Sequence, residues 1–305
     1  MKTLKSILVV LCVVAMASCH CGKKGCETEN QQKNIGLQMY SLRYQIPDTV
    51  MGIDSVITAV GKMGYKYVEN FGYNASNGLT YKLSPEELKA KLDAVGVSIL
   101  STHVRKDLPS PKTAANTAEL WAWWDKCIAD HQTMGAKYIV MPSMPTPETL
   151  AELKKWCDYY NEIGEKCLAA GLKFGYHNHA FEFEKEYELG KDKTISMYDY
   201  MVQNTDPEKV FFQLDVYWSN MGRRAPVELF EKYPGRFEVL HIKDSKELGR
   251  SGFVGFDAIF KYIDIAKTKY LIVEVERYNI PPIESVKESL DYLNKADFVK
   301  ANYAE

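Results

Sequence analysis

Residues 176–183 (YHNHAFEF) bring four side chains with acid–base or metal-binding chemistry into a stretch whose aromatic spacing is otherwise typical of a β-strand. Two are the imidazoles of His177 and His179, and the others are the Asn178 amide and the Glu182 carboxylate. Burying so many polar groups costs free energy unless each finds a partner. A functional site explains the stretch better than a structural role, because titratable groups in unusual surroundings gather at such sites.

Acidic and basic residues also stand at the ends of other apolar runs. Four groups from successive runs could surround one divalent ion: Glu182, Asp215, His241 and Glu276. Three carboxylates and one imidazole suit Mn²⁺, Mg²⁺, Co²⁺ or Zn²⁺, and they differ from the thiolate sets of structural zinc. Taken singly, Asp215 could cap a helix and His241 could be a buried core histidine, so the prediction depends on their occurring together.

The elements that must position these groups alternate regularly from Asn34 to the end of the sequence. Strand-like runs cover residues 35–39, 65–69, 97–103, 136–141, 172–178, 210–215, 237–243 and 270–276. Helical patterns cover residues 54–63, 84–95, 115–134, 147–170, 196–203, 226–233, 256–266 and 284–295. Eight βα units predict a closed (β/α)8 TIM barrel of the α/β class over residues 34–305.

Helix boundaries support this reading. Ser84 and Pro85 open one helix as a cap and a first-turn proline, and Gly96, Gly135 and Gly171 end helices just before strands. The alternative, a doubly wound open sheet, would carry a glycine-rich phosphate loop after its first strand, and the sequence has none there. In a barrel the C-terminal ends of the strands carry the active site, which is where the reactive residues fall.

Five motifs resemble the sugar phosphate isomerase/epimerase family with the xylose isomerase-like TIM barrel: GLQMYSLR (36–43), YHNHAFEF (176–183), QLDVYW (213–218), HIKD (241–244) and VEVE (273–276). The resemblance covers roughly residues 34–302. It implies that the metal ligands are Glu182, Asp215, His241 and Glu276. Many relatives have the first glutamate earlier on the strand, where this chain has His177, so His177 or His179 is an alternative ligand. Glu274 competes with Glu276, because both point to the same side of a strand.

Further residues near the same mouth are candidates for contacting a substrate. A sugar presents C–H faces that stack on aromatic rings, so Trp218 suits a carbohydrate. The other candidates are Glu69, His103, His177, His179 and Lys243. Glu69 and His103 could instead satisfy each other, and Lys243 could pair with an acid.

The resemblance implies an isomerase or epimerase. A divalent ion that chelates a carbonyl and a neighbouring hydroxyl acidifies the adjacent C–H and stabilises the resulting enediolate. In the family's epimerases two metal-bound glutamates on opposite sides of the substrate move the proton, by position Glu182 and Glu276. The same enolate can expel a group at the next carbon, so a lyase or dehydratase, such as one that cleaves 3-keto-glycosides by elimination, is the alternative. A metal-independent periplasmic carbohydrate-binding barrel is the second alternative.

The N-terminus predicts export. Lys2 and Lys5 precede a short apolar run, and MASC (16–19) resembles a lipobox, so residues 1–19 are predicted to be a signal peptide with lipidation at Cys19 and residues 20–33 a flexible tether. The run is shorter than the roughly 20 residues that span a bilayer. The prediction is therefore a periplasmic lipoprotein that contacts the membrane only through its anchor and could form a homo-oligomer. The predicted export favours an unphosphorylated sugar or keto-sugar as the substrate, because phosphorylated sugars are mainly cytoplasmic.

The charge balance argues against a nucleic-acid partner. The full chain has 38 basic and 40 acidic residues, and removing two signal lysines takes the net charge from 38 − 40 = −2 to 36 − 40 = −4. Binding a phosphate backbone would favour a basic face. The sequence also lacks a dinucleotide fingerprint, which argues against an oxidoreductase.

Overall fold

Eight parallel strands close into a barrel in this computed structural model, which describes residues 32–110 and 112–304. They are β1 (Ile35–Gln38), β2 (Tyr67–Asn70), β3 (Ser98–His103), β4 (Tyr138–Met141), β5 (Lys173–His177), β8 (Val210–Asp215), β9 (Val239–Lys243) and β10 (Tyr270–Glu274). A two-stranded antiparallel hairpin, β6 (Glu186–Gly190) and β7 (Lys193–Ser196), lies between β5 and β8 in the chain. The barrel order is β1-β2-β3-β4-β5-β8-β9-β10, and β10 pairs with β1. The predicted (β/α)8 barrel is confirmed.

Helices alternate with the barrel strands. The longer ones are α1 (Ile53–Met63), α2 (Pro85–Asp93), α3 (Ala114–Met134), α4 (Leu150–Ala169), α6 (Met197–Asn204), α8 (Pro226–Lys232), α9 (Phe256–Ala266) and α10 (Pro282–Lys295). Two short helices, α5 (Phe181–Glu184) and α7 (Val216–Met221), follow β5 and β8, and a 3₁₀ helix (Met39–Leu42) follows β1. Because each of these short helices begins within four residues of a strand end, it can present its side chains to the barrel mouth.

Local chemistry sets several helix ends. Ser84, Thr113 and Thr149 each form a reciprocal capping box with the third helical residue of α2, α3 and α4, which satisfies free backbone N–H groups. Gly135 ends α3 at φ 73°, a left-handed conformation that other residues adopt only with strain. The predicted α4 began at residue 147 but the helix starts at Leu150, because the cap at Thr149 fixes its first turn.

The predicted strand over residues 172–178 ends at His177 in the structure, and residues 181–184 form α5. Pairing explains the early end, since His177 is the last residue of β5 in register with β8, opposite Gln213. In the same way β10 stops at Glu274, opposite Lys243, and not at the predicted residue 276. As a result Glu182 and Glu276 lie outside β5 and β10, so their side chains need not follow the alternation between the two faces of a strand.

The barrel interior has a lower, mainly apolar layer. It contains Tyr67, Leu100, Tyr138, Val140, Phe211, Val239, Tyr270 and Ile272. The larger core lies between the strands and the surrounding helices. These two cores fix the strands, and the polar residues begin one step closer to the C-terminal ends.

The predicted signal peptide (residues 1–19), the lipidation at Cys19 and residues 20–31 of the predicted tether lie outside the described residues. Lys33 belongs to the barrel domain, because its ammonium donates to the Leu293 and Ala296 carbonyls at 2.9 and 2.6 Å. Among the helices of the described residues, none has the length and apolar character needed to cross a membrane.

Candidate metal centre

Four side chains at the C-terminal ends of consecutive barrel strands converge on one point. His177 (β5), Asp215 (β8), His241 (β9) and Glu274 (β10) are all buried, and each offers one ligand atom within 4.8 Å of the others. His103 forms a second, overlapping group with His177 and His241. The structure thus brings together Asp215 and His241 of the predicted quartet, and it adds His177 and Glu274, two of the three residues that the sequence left as alternatives; His179 is outside the group.

The donor set fits a divalent ion. Asp215 Oδ1 accepts the Trp218 backbone N–H at 2.8 Å, whereas its buried Oδ2 has no hydrogen-bond partner among the described residues. Burial raises the pKa of Asp215 to about 7, because desolvation disfavours the charged carboxylate. A nearby cation would offset this penalty. Two imidazoles and two carboxylates suit Zn²⁺, Mn²⁺ or Co²⁺.

Glu182 lies outside both of these ligand groups. It is fully buried in α5. Its Oε1 accepts the Tyr176 hydroxyl at 2.7 Å and its Oε2 accepts the His179 backbone N–H at 2.8 Å. Burial raises the pKa of Glu182 to about 7. Since both oxygens are engaged, Glu182 fixes the turn that carries His179.

Glu276 also lies outside the ligand groups, but it remains at the mouth. Its side chain is 29% exposed, and its Oε2 is 3.0 Å from Lys243 Nζ. Lys243 is buried and also donates to Glu274 Oε2 at 3.1 Å. Burial alone would lower the pKa of Lys243, but the charges of Glu274, Asp215 and Glu276 outweigh it and raise the pKa above its usual value. The ammonium therefore stays charged between two carboxylates.

Glu69, predicted to contact substrate, is fully buried inside the barrel. Its Oε1 lies 2.7 Å from Gln38 Nε2, 2.6 Å from His241 Nε2 and 2.8 Å from His103 Nε2. Its Oε2 accepts Ser101 Oγ at 2.6 Å and Gln213 Nε2 at 2.7 Å. Burial would raise the pKa of Glu69, but His103 and His241 hold it well below its usual value. So many partners leave little capacity for a substrate hydroxyl.

Sequence reasoning missed Gln38, Ser101 and Gln213 as part of the site. Gln213 Oε1 lies 3.1 Å from His177 Nδ1 and 2.9 Å from His103 Nε2, so it links two imidazoles to Glu69. A signal was available, because Gln213 is a polar residue in an apolar strand two positions before Asp215, and residues i and i+2 share a face.

Other predicted substrate contacts line the mouth beside the ligand group. The His179 ring is 5.5 Å from Trp218, and its buried Nδ1 has no partner among the described residues. Lys243 Nζ lies 5.2 Å from the centre of the Trp218 ring. The Tyr217 ring is 5.1 Å from the Trp218 ring, and the Phe253 ring is 6.0 Å from the Tyr217 ring. The Phe253 ring is 52% exposed. We call Trp218, Tyr217 and Phe253 the aromatic ledge.

Comparison with known proteins agrees with the fold. Residues 57–296 match the model of a family described as xylose isomerase-like TIM barrel. A crystal structure of a sugar phosphate isomerase/epimerase from Parabacteroides distasonis is 35% identical, with a TM-score of 0.80 over 88% of this chain and 96% of that one.

Two further comparisons are more distant, one with a curated protein and one with a solved structure. An inosose dehydratase from Geobacillus kaustophilus is 24% identical over 207 residues, which are 63% of this chain and 61% of that protein. A crystal structure of the IolI protein with a bound zinc atom is 15% identical and shares the fold, with a TM-score of 0.63 over 87% of this chain and 98% of that one.

Proposed function

Because this chain belongs to the xylose isomerase-like TIM barrel family, whose matched relatives include a sugar phosphate isomerase/epimerase and an inosose dehydratase, we propose that it is a divalent-metal-dependent sugar isomerase or epimerase. Its substrate is an unphosphorylated sugar or keto-sugar, which loses a proton next to its carbonyl. The observation that carries the proposal is the convergence of His177, Asp215, His241 and Glu274 at one point of the mouth. These four residues would hold the ion.

The ion, when bound, would polarise a substrate carbonyl and stabilise the negative charge that develops as the proton leaves. Glu276 is the side chain that we propose to remove this proton, because it is partly exposed beside the ligand group. The Lys243 ammonium, 3.0 Å from Glu276 Oε2, would hold this carboxylate beside the ligand group. Glu182, predicted as the second proton-transfer group, is instead proposed to hold His179 in place.

The mouth supports a neutral sugar more than a phosphorylated one. Lys243 is engaged by Glu274 and Glu276. The Arg43 guanidinium donates to the Tyr40 and Glu276 carbonyls at 2.9 and 3.0 Å. Both cations therefore have internal partners, whereas the aromatic ledge offers ring faces for the C–H surface of a sugar.

A lyase or dehydratase is the second candidate, and one observation favours it. The family's epimerases use two metal-bound glutamates on opposite sides of the substrate. In this chain β10 contributes Glu274, but β5 contributes His177 in place of a second glutamate. A site with one glutamate ligand suits a reaction that removes a proton from one carbon and expels a group from the next. The relative named as an inosose dehydratase supports the same reading.

The experiment is to incubate the metal-loaded protein in D₂O with free sugars, keto-sugars and 3-keto-glycosides and to follow the products by NMR. Deuterium next to the carbonyl of an intact skeleton would identify an isomerase or epimerase, whereas release of water or an aglycone would identify a lyase. Sugar binding without exchange, and without a need for metal, would contradict both enzyme proposals and favour a binding protein.

Export is a separate proposal, supported only by the sequence of residues 1–19 and MASC at residues 16–19. A lipid on Cys19 would hold the barrel at a membrane surface. Labelling cells with a radioactive fatty acid should mark the wild type but not Cys19→Ala, and unlabelled wild type would contradict the anchor.

A further inference from the structure

We propose that Glu69 is a positioning residue that sets the tautomers of both imidazole ligands, so that a metal ion binds Nδ1 of His241 and Nε2 of His177. The inference rests on the proposed metal site and specifies which atoms form it. It also changes the role of Glu69 from the predicted substrate contact to a group that acts through the ligands.

The first step concerns His241. A carboxylate can only accept hydrogen bonds, and Glu69 does so from Gln38, Ser101 and Gln213. His241 Nε2, 2.6 Å from Glu69 Oε1, must therefore carry a hydrogen. A ligating imidazole is neutral, so its other nitrogen then offers a lone pair to the ion. That nitrogen, Nδ1, lies 3.2 Å from Glu274 Oε2, a separation close to the roughly 3 Å between neighbouring ligands whose bonds to one ion are about 2.1 Å long.

The second step concerns His177, which Glu69 reaches through Gln213. The Gln213 amide nitrogen donates to Glu69 Oε2 at 2.7 Å, so its oxygen must face the other way. That oxygen is 3.1 Å from His177 Nδ1 and 2.9 Å from His103 Nε2. Both of these nitrogens are therefore donors, which leaves the lone pair of His177 on Nε2.

The third step is that Glu69 cannot reach a substrate. It is fully buried, and the groups around it come from β1, β3, β8 and β9. Carboxylates that accept the distal N–H of a ligating histidine fix its ring and raise its basicity. Here one carboxylate does this for two histidines, directly for His241 and through an amide for His177.

Glu69→Gln is the direct test. The amide keeps the size of the side chain but places an N–H against existing donors, so one ring loses its acceptor. We expect the affinity of the metal-free full chain for Zn²⁺ or Mn²⁺, measured by calorimetry, to fall about 10- to 100-fold. The matched control is Glu247→Gln. Glu247 is equally buried and accepts three hydrogen bonds, from the Asn279 N–H, the Asn279 amide and the Ser285 hydroxyl, outside the site. The control should keep wild-type metal affinity.

A second readout separates positioning from a general structural effect. The chain has only six histidines, so ¹⁵N-detected imidazole spectra of the Zn²⁺-loaded protein can be assigned by substitution. We expect His241 as the Nε2–H tautomer and His177 as the Nδ1–H tautomer in the wild type. Gln213→Met should change His177 while leaving His241 unchanged, and it keeps the test available if Glu69→Gln does not fold.

The outcomes are distinguishable. If the wild type binds the ion and Glu69→Gln binds it equally well, or if the tautomers are reversed, the positioning role is overturned while the metal site remains. If the folded wild type binds neither ion, the proposed function and this inference both fail. Equal loss of affinity in Glu69→Gln and Glu247→Gln would assign the effect to stability alone and would also overturn the positioning role.

Discussion

Two layers of side chains inside the barrel come from the same strands but have opposite characters. In the lower layer Tyr67, Phe211, Val239 and Ile272 pack as apolar or aromatic groups. Two residues further along the same strands stand Glu69, Gln213, His241 and Glu274, which form the buried polar network. Since residues i and i+2 of a strand share a face, depth along the barrel axis separates packing from chemistry. The comparison predicts that changes in each layer have separable effects.

The largest effect on activity is expected from Asp215→Asn. The amide oxygen can still accept the Trp218 N–H that starts α7, so the cap is kept while the charge facing the ligand group is lost. Metal affinity should fall more than the ~100-fold typical of an outer-shell change, and exchange in D₂O should fall with it. Calorimetry measures the metal affinity, NMR in D₂O measures the exchange, and thermal unfolding shows whether the cap is kept. Full metal binding and activity in Asp215→Asn would show that Asp215 is not part of the site. Asp215→Ala also loses the cap, so its free energy of unfolding should be lower by a further ~1 kcal/mol.

Phe211→Ala is the corresponding change in the lower layer. The ring packs edge-on against Tyr138 at 5.0 Å, and its removal should lower the free energy of unfolding by about 3–5 kcal/mol. Metal affinity of the folded fraction should remain near wild type. Denaturant unfolding and calorimetry on the same sample test both, and a loss of affinity with normal stability would break the separation of layers.

Gly175→Ala tests the same packing from the adjacent strand, since Gly175 of β5 is paired with Phe211 of β8. A Cβ at Gly175 would lie 2.5 Å from Phe211 Cζ, so the substitution should cost about 1–3 kcal/mol through overpacking. Combined with Phe211→Ala, the added methyl enters the vacated space, and the double variant should be more stable than the sum of the single effects predicts. Strict additivity in denaturant unfolding would mean that the two residues do not share this space.

The imidazole of His131 lies in a helix and can be compared with the imidazoles of the buried polar network in the barrel. It is fully buried in α3, its Nδ1 is 2.7 Å from the Cys127 carbonyl, and burial lowers its pKa to about 4. The unfolded chain, with an ordinary histidine pKa near 6.5, takes up a proton first as the pH falls. The wild type should therefore lose up to about 3 kcal/mol relative to His131→Met between pH 6.5 and 4. Parallel pH–stability curves for the two proteins would contradict this.

The smallest effect is expected at the outer end of the aromatic ledge. Phe253→Ala removes an exposed ring 6.0 Å from Tyr217. A stacking contact contributes about 0.5–1.5 kcal/mol, so KM should rise about 2- to 10-fold once a substrate is identified, while kcat and metal affinity stay unchanged. A lower kcat with unchanged KM would move Phe253 from sugar binding to another role.

The sequence predicted all eight barrel strands and all eight of the longer helices, because these depend on hydrophobic periodicity and on glycines such as Gly135. It could not predict where the strands stop. The ends of β5 and β10 are set by pairing with β8 and β9, and pairing is not visible in one strand. That is why the stretch around Glu182 was read as strand and why the choice between Glu274 and Glu276 stayed open. The hairpin β6–β7 was missed for a different reason, since its exposed residues carry no strong pattern.

The depth of Glu69 was also beyond sequence reasoning. A carboxylate at a strand end is expected to face the mouth, and the sequence offered no measure of how many donors from other strands would surround it. Gln38 and Gln213 became interpretable only when barrel closure placed them beside it.

The partners of Glu69 have a consequence for how the chain folds. Gln38, Ser101 and His103 belong to the first half of the barrel, and Gln213 and His241 belong to the second. A half-barrel fragment would leave this buried charge without some of its hydrogen-bond donors, which is costly. We therefore expect the two halves to fold as one cooperative unit, with ring closure and assembly of the ligand group occurring in the same step.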